Sequence, residues 1–190
     1  MNTARRAVFI DKDGTLITDL PYNADPEKIA FSPNCLIGLQ QLQRQGYRLV
    51  IITNQSGIAM GYFSAQALIA VEARIKTMLA AAGIRLDGFY FCPHHPKGTD
   101  PLYATVCNCR KPQPGLLLKA ARELGIDLAE SWMIGDILND VEAGNRAGCK
   151  SILIENGNET EWLRGDFRRP IAQAKNINEA AEFILNKDGE

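Results

Sequence analysis

The sequence has almost no net charge: 21 Lys plus Arg stand against 22 Asp plus Glu in 190 residues, a formal balance of −1. Without a global field of one sign the chain cannot gather polyanions. The pairs Arg5-Arg6 and Arg168-Arg169 are too short to serve as nucleic-acid tracts and read as solvated surface. Long hydrophobic runs are missing as well. The first apolar stretch extends only from Ala7 to Ile10 before Asp11, far short of a signal-peptide core or a bilayer span, so a cytoplasmic protein is expected. Histidine is scarce, with two in all, and cysteine is low and odd in number, at five. A chain of this length buries roughly 70% of its unfolded surface and needs no disulfide staple. Internal repeats, low-complexity tracts and linker-like boundaries are also lacking, and residues 1–190 are read as one domain.

What is present is alternation. Short, nearly continuous apolar runs at Ala7–Ile10, Arg48–Thr53, Gly88–Cys92, Trp132–Ile134 and Ser151–Ile154 are expected strands. Helical patterns fall between them, at Pro33–Gln45, Ser64–Gly83, about Gly115–Leu124, about Asn139–Ala147 and Asn178–Asn186, several closed by a glycine. Strands apolar on both faces and alternating with helices predict an α/β fold, a three-layer Rossmann-like parallel sheet with helices on both faces. Ligands of such sheets bind outside the carboxyl ends of the strands.

Reactive residues fall at three of those ends. The first strand runs into Asp11-Lys12-Asp13-Gly14-Thr15, where two carboxylates two residues apart would repel unless a cation or a proton lay between them. The second runs into Thr53-Asn54-Gln55-Ser56-Gly57, small polar donors suited either to phosphate oxygens or to plain turn formation. The third runs into Gly135-Asp136-Ile137-Leu138-Asn139-Asp140. Asp11, Asp13 and Asp136 together offer the hard oxygen ligands that Mg²⁺ prefers, whereas Asp140 reads equally well as an acid favoured by a helix N-terminus. Lys111, in Cys109-Arg110-Lys111-Pro112, would balance the acids if the fold brought it beside them.

Three of the cysteines crowd together with both histidines. Cys92-Pro93-His94-His95 and Cys107-Asn108-Cys109 make C-x-H-x12-C-x-C, and in a reducing compartment three thiolates and one imidazole read as a closed, structural Zn²⁺ site. Spacing leaves His94 and His95 equivalent. Cys35 and Cys149 read as isolated small apolar residues.

Taken in order, Asp11-Lys12-Asp13-Gly14-Thr15, Thr53-Asn54, Lys111 and Gly135-Asp136 resemble the four motifs of the haloacid dehalogenase superfamily of phosphohydrolases. The C-x-H loop followed by Cys107-Asn108-Cys109-Arg110-Lys111-Pro112 is similar to its subgroup of heptose bisphosphate and histidinol-phosphate phosphatases, and more to the heptose members, which share Thr53 to Ala59 and the longer zinc loop. The resemblance implies a cytoplasmic phosphoric monoester hydrolase that takes a 7-phosphate from a heptose bisphosphate in nucleotide-activated heptose synthesis for lipopolysaccharide or surface glycan. It implies Asp11 as nucleophile, Asp13 as acid and base, and Thr53 and Lys111 as holders of the transferred phosphoryl group. Mg²⁺ would sit on Asp11, Asp13 through its carbonyl, and Asp136. Zn²⁺ would sit on Cys92, His94, Cys107 and Cys109. Substrate contacts are expected from Asp19, Tyr22, Asn54, Gln55, Ser56 and Arg110, the last gripping a distal phosphate through its planar fork. Ile137 stands where the heptose enzymes often carry lysine. No segment is long enough for a large cap domain. The expected partner is a small phosphorylated sugar, met by a monomer that uses neither nucleic acid nor membrane. Histidinol phosphate is the alternative substrate, and a zinc-stabilised binding module the non-enzymatic alternative.

Overall fold

Runs such as Ala-Val-Phe-Ile and Leu-Val-Ile-Ile-Thr are stable only where both sides of the strand are covered, and the architecture supplies that cover. The computed structural model describes residues 5–188. Residues 1–4 and 189–190 lie outside the described residues. Six strands, β1 (Ala7–Ile10), β2 (Arg48–Asn54), β3 (Gly88–Cys92), β4 (Trp132–Gly135), β5 (Lys150–Ile154) and β6 (Ala172–Ala174), form one sheet in the order β3-β2-β1-β4-β5-β6. All neighbours pair in parallel.

Because successive side chains of a strand point to opposite faces, each buried strand feeds two cores. Val8, Ile10, Leu49, Ile51, Trp132 and Ile134 pack on one face. They meet α1 (Leu36–Arg44), α3 (Ala67–Ala81) and α6 (Ile177–Asp188) through Leu39, Leu42, Leu68, Val71, Ile75 and Ala180. Phe9, Val50, Ile52 and Met133 point the other way, onto Leu116, Leu117 and Ala120 of α4 (Gly115–Leu124) and Ala143 of α5 (Leu138–Ala147). The result is the Rossmann-like three-layer arrangement expected from the sequence. Among the described residues, no helix is long and apolar enough to cross a membrane.

The expected elements differ mainly at their starts. The first helix begins at Leu36 rather than Pro33 because Asn34 takes a left-handed φ of 54°. The helix expected from Ser64 begins at Ala67, with the Ser64 hydroxyl accepting from the Ala67 N–H at 3.3 Å ahead of the first turn. Strand β6, three residues of Ala-Gln-Ala, has no apolar run to announce it. Likewise the single turn α2 (Ser56–Ala59) is too short for a periodicity.

Topology fixes where a ligand can enter. The chain leaves β1 towards β2 on one side and leaves β4 towards β5 on the other, so a crevice opens between the carboxyl ends of β1 and β4, the switch point of the sheet. Trp132 lies in the core behind this point, fully buried, edge-on to Phe183 at 6.0 Å and with its indole N–H unpartnered. Trp132→Ala is expected to cost about 3–5 kcal/mol in urea unfolding. Trp132→Phe should cost less than half of that, because the lost N–H had no bond to lose; equal costs would show that packing at this position tolerates no change of ring.

Candidate active site

After β1 the chain turns back on itself at once, with the Leu16 and Ile17 N–H groups bonded to the Lys12 carbonyl at 3.1 and 2.9 Å. This turn drives Leu16 and Ile17 into the core and leaves Asp11 and Asp13 at the crevice. Asp11 is buried and is ion-paired with the Lys111 ammonium. Lys111, 3% exposed, also donates to the Ile52 carbonyl at 3.0 Å and pairs with Asp140 at 2.6 Å. Its backbone is clamped by Asn54, whose side chain accepts from the Lys111 N–H at 3.0 Å and donates to the Lys111 carbonyl at 3.1 Å. Asp140, which the sequence left open between a site acid and a helix-dipole acid, is thus a buried counter-ion of the site. Gly135 is what admits it: a Cβ there would lie 2.2 Å from the Asp140 Cβ. A Gly-Asp pair followed by an acid one turn later was visible in the sequence, but its inward direction depends on that close approach.

Burial pushes the Asp11 carboxyl up to about 7, with Asp140 and Asp13 adding to the rise and Lys111 opposing it. Burial and the neighbouring Asp11 push Asp136 up to about 6, against hydrogen bonds from Asn158 and Thr15. Burial alone would lower Lys111, but Asp11 and Asp140 outweigh it and raise its pKa, keeping the ammonium charged. Asp11, Asp136 and Asp140 can each aim an oxygen within 4.8 Å of the others. Three ionised carboxylates beside one ammonium leave two negative charges in a buried place, which is the charge a divalent cation neutralises. The hard oxygens suit Mg²⁺.

Asp13 projects further out, its side chain 30% exposed, with Oδ1 accepting from Lys12 at 2.6 Å and Oδ2 from Gln55 Nε2 at 2.9 Å. Gln55 Nε2 also donates to Thr53 Oγ1 at 2.8 Å. Asp13, Asp19, Tyr22, Asn54, Gln55 and Ser56 line one cleft of about 270 Å³. Asp19 is raised by burial and by Asp13, against Lys12. Arg110 stands apart from this lining on the zinc loop, its guanidinium donating to the His94 carbonyl at 3.3 Å. Ile137 contributes its backbone N–H to Asp140 at 3.3 Å.

On the far side of Lys111, the Cys92, Cys107 and Cys109 sulfurs stand 3.1–3.5 Å apart, and His94 Nδ1 lies 3.7 Å from Cys92 and 3.3 Å from Cys109. A tetrahedron with Zn–S bonds of about 2.3 Å has edges just under about 4 Å, so the set fits zinc with slight expansion. His95 Nδ1 instead accepts from the Lys97 N–H at 3.2 Å.

A family model described as HAD-hydrolase-like matches residues 108–180. The D-glycero-beta-D-manno-heptose-1,7-bisphosphate 7-phosphatase of Photorhabdus laumondii is 44% identical over 153 residues, covering 80% of this chain and 81% of its own. The enzyme of the same name from Escherichia coli K12 is 37% identical over 182 residues, covering 95% and 88%. Among solved structures, D,D-heptose 1,7-bisphosphate phosphatase from B. bronchiseptica, complexed with magnesium and phosphate, superposes with a TM-score of 0.81 at 29% identity over 96% of this chain and 99% of that one.

Two outcomes follow from the two metal sets. Purified without chelator, the protein should carry about one Zn²⁺ per chain by elemental analysis, and Cys107→Ala should lose most of it; a zinc-free, fully stable preparation would give the thiols another purpose. For the acids, both folded-state values lie above the ordinary 3.8. The metal-free fold therefore favours the protonated acids, and stability present below about pH 4 is lost as pH climbs through about 6 and 7. Mg²⁺ takes the place of those protons, so the Tm gain on adding it should be larger at pH 8 than at pH 5.5; an equal gain at both would disconnect the cation from these carboxyls.

Proposed function

The chain belongs to the HAD-like phosphatase family of the D-glycero-beta-D-manno-heptose-1,7-bisphosphate 7-phosphatases, and on that premise we propose that, as a single domain over residues 1–190, it hydrolyses the 7-phosphate of D-glycero-D-manno-heptose 1,7-bisphosphate. The observation that carries the reading is the buried ammonium of Lys111 between Asp11 and Asp140, at the end of the sheet where the acids that suit Mg²⁺ converge.

Asp11 attacks phosphorus with a carboxylate oxygen, forming an aspartyl-phosphate as the bond to the sugar oxygen breaks. Asp13, more exposed than Asp11, Asp136 or Asp140, gives its proton to that departing oxygen. The same group then takes a proton from the water that cleaves the acyl phosphate, releasing inorganic phosphate and restoring Asp11. Lys111 and Thr53 hold the equatorial oxygens while charge spreads over them. When bound on Asp11, the Asp13 carbonyl and Asp136, Mg²⁺ screens the repulsion between nucleophile and phosphate.

Asp19, Tyr22, Asn54, Gln55 and Ser56 contact the sugar from the cleft walls. Among the described residues no cap domain encloses the site, so selectivity draws on a distant anion, which Arg110 grips as a planar fork. The enzyme works as a monomer in the cytoplasm. A site built within one chain supports the first point, and a thiol-based zinc set, which needs a reducing compartment, supports the second.

Phosphate release from both anomers of the heptose bisphosphate and from histidinol phosphate tests the reading. The bisphosphate should be the fastest substrate, Asp11→Asn should lower turnover by more than about 1,000-fold, roughly 4 kcal/mol of barrier, and Arg110→Ala should lower kcat/KM for the bisphosphate far more than for a monophosphate. Faster hydrolysis of histidinol phosphate would overturn the substrate, and a substantially active Asp11→Asn variant would overturn the nucleophile.

A further inference from the structure

The connection from β5 to β6 belongs to none of the motifs, yet its first residues reach Gly14 and Asp136 at the carboxyl edge of the sheet. Asn156 donates Nδ2 to the Gly14 carbonyl at 2.7 Å, and its Oδ1 accepts from the Asn158 N–H at 3.2 Å, folding the chain around Gly157. Asn158 then donates Nδ2 to Asp136 Oδ2 at 2.7 Å. Next, Glu159 Oε2 accepts from the Leu138 N–H at 2.5 Å, at the open first turn of α5. The far end of the connection is tied to the same helix. Arg168 bonds Glu142 at 2.7 Å and Asn139 at 2.6 Å, and Asn145 donates to the Phe167 and Arg169 carbonyls at 2.8 and 3.0 Å. The strap is therefore fastened to the loop after β1, to Asp136 and to α5.

Asp136 is held on both oxygens. Oδ1 accepts from the Thr15 hydroxyl at 3.0 Å, and Oδ2 from Asn158. The terminal torsion of a free aspartate is broad, and these two donors fix it. A carboxylate has about four lone-pair directions, so two donors leave room for a cation on the same group. A neutral amide also orients the ligand without adding a positive charge that would compete with that cation. Gly14 makes the approach possible: a Cβ on it would lie 2.5 Å from Asn158 Nδ2 and 2.2 Å from Asp136 Oδ2.

We propose that Asn158 is a positioning residue for Mg²⁺, one that acts through Asp136 by fixing the plane of its carboxylate. The inference rests on the reading of the acids as an Mg²⁺ site. Donors to metal-ligating groups typically matter by about 10–100-fold in metal affinity or activity, and Asn158 is solvent-exposed, which favours the lower end.

The test is a calorimetric titration of Mg²⁺, cross-checked by Mn²⁺ electron paramagnetic resonance, on the wild-type protein, Asn158→Ala and Asn156→Ala. Asn158→Ala should weaken the Mg²⁺ Kd about tenfold, with zinc content unchanged and with activity recovered by raising Mg²⁺. Asn156→Ala, which loosens the strap but keeps the amide on Asp136, should weaken it less. Should Asn158→Ala fail to fold, Asn158→Ser is measured by the same criterion. A variant with the wild-type Kd would overturn the proposal. So would a loss of activity that Mg²⁺ does not recover. If instead the Kd shifts while the wild-type protein releases no phosphate from any sugar phosphate, the positioning role stands and the functional reading falls.

Discussion

A lysine ammonium held away from water between two carboxylates is the constraint to which the rest of the crevice answers. Lys111 ties the end of β1, through Asp11, to the start of α5, through Asp140, and to β2, through the Ile52 carbonyl. Removing either kind of partner would leave an uncompensated buried charge, a loss of about 3–5 kcal/mol in comparable settings. The backbone of Lys111 is therefore fixed as firmly as its side chain. Asn54 clamps it on one side, and two residues upstream Cys109 joins the thiol cluster. Zinc in that cluster would anchor the loop from behind, so the thiol cluster and the buried ammonium share one short stretch of chain.

The same constraint orders the acids into two kinds. Asp11, Asp136 and Asp140 lie under the edge, where burial raises their pKa values and a divalent cation would favour their ionised forms. Asp13 sits at the lip, its carboxylate shared between Lys12 and Gln55. A nucleophile gains from fixed, dry surroundings, whereas a group that hands a proton to a leaving oxygen and later takes one from water must reach both substrate and solvent. Beyond the lip the cleft is bounded by the 19–23 loop, where Tyr22 stacks edge-on with Tyr62 at 4.6 Å.

Much of this was legible in the sequence, for reasons that can be named. Strands buried on both faces have to be apolar throughout, so β1 to β5 declared themselves, and a parallel sheet places its chemistry at strand ends, where Asp11, Thr53 and Asp136 stood. The zinc set was legible because thiolate and imidazole ligands come in short, paired spacings. What could not be read were contacts made by approach in space. Asp140 is indistinguishable from a helix-dipole acid until Gly135 lets it tuck inward. Asn158 lies in a polar stretch, Glu-Asn-Gly-Asn-Glu, that looks like any surface loop, and only Gly14, far away in sequence, brings its amide to Asp136. The start of α1 moved because one residue, Asn34, took a left-handed conformation that no periodicity records.

The polarity of the sheet has a practical side. Every group assigned to chemistry or to metal stands at the carboxyl edge, while the turns that return the chain to its strands lie at the opposite edge. At the return between α1 and β2, Gly46 adopts φ 85° and a side chain placed on it would meet nothing within 4 Å. An inserted tag, fluorophore site or tether there would point away from the crevice. Immobilised by that turn, the protein would present its mouth to the solution rather than to the support, an orientation that coupling through scattered surface lysines cannot guarantee.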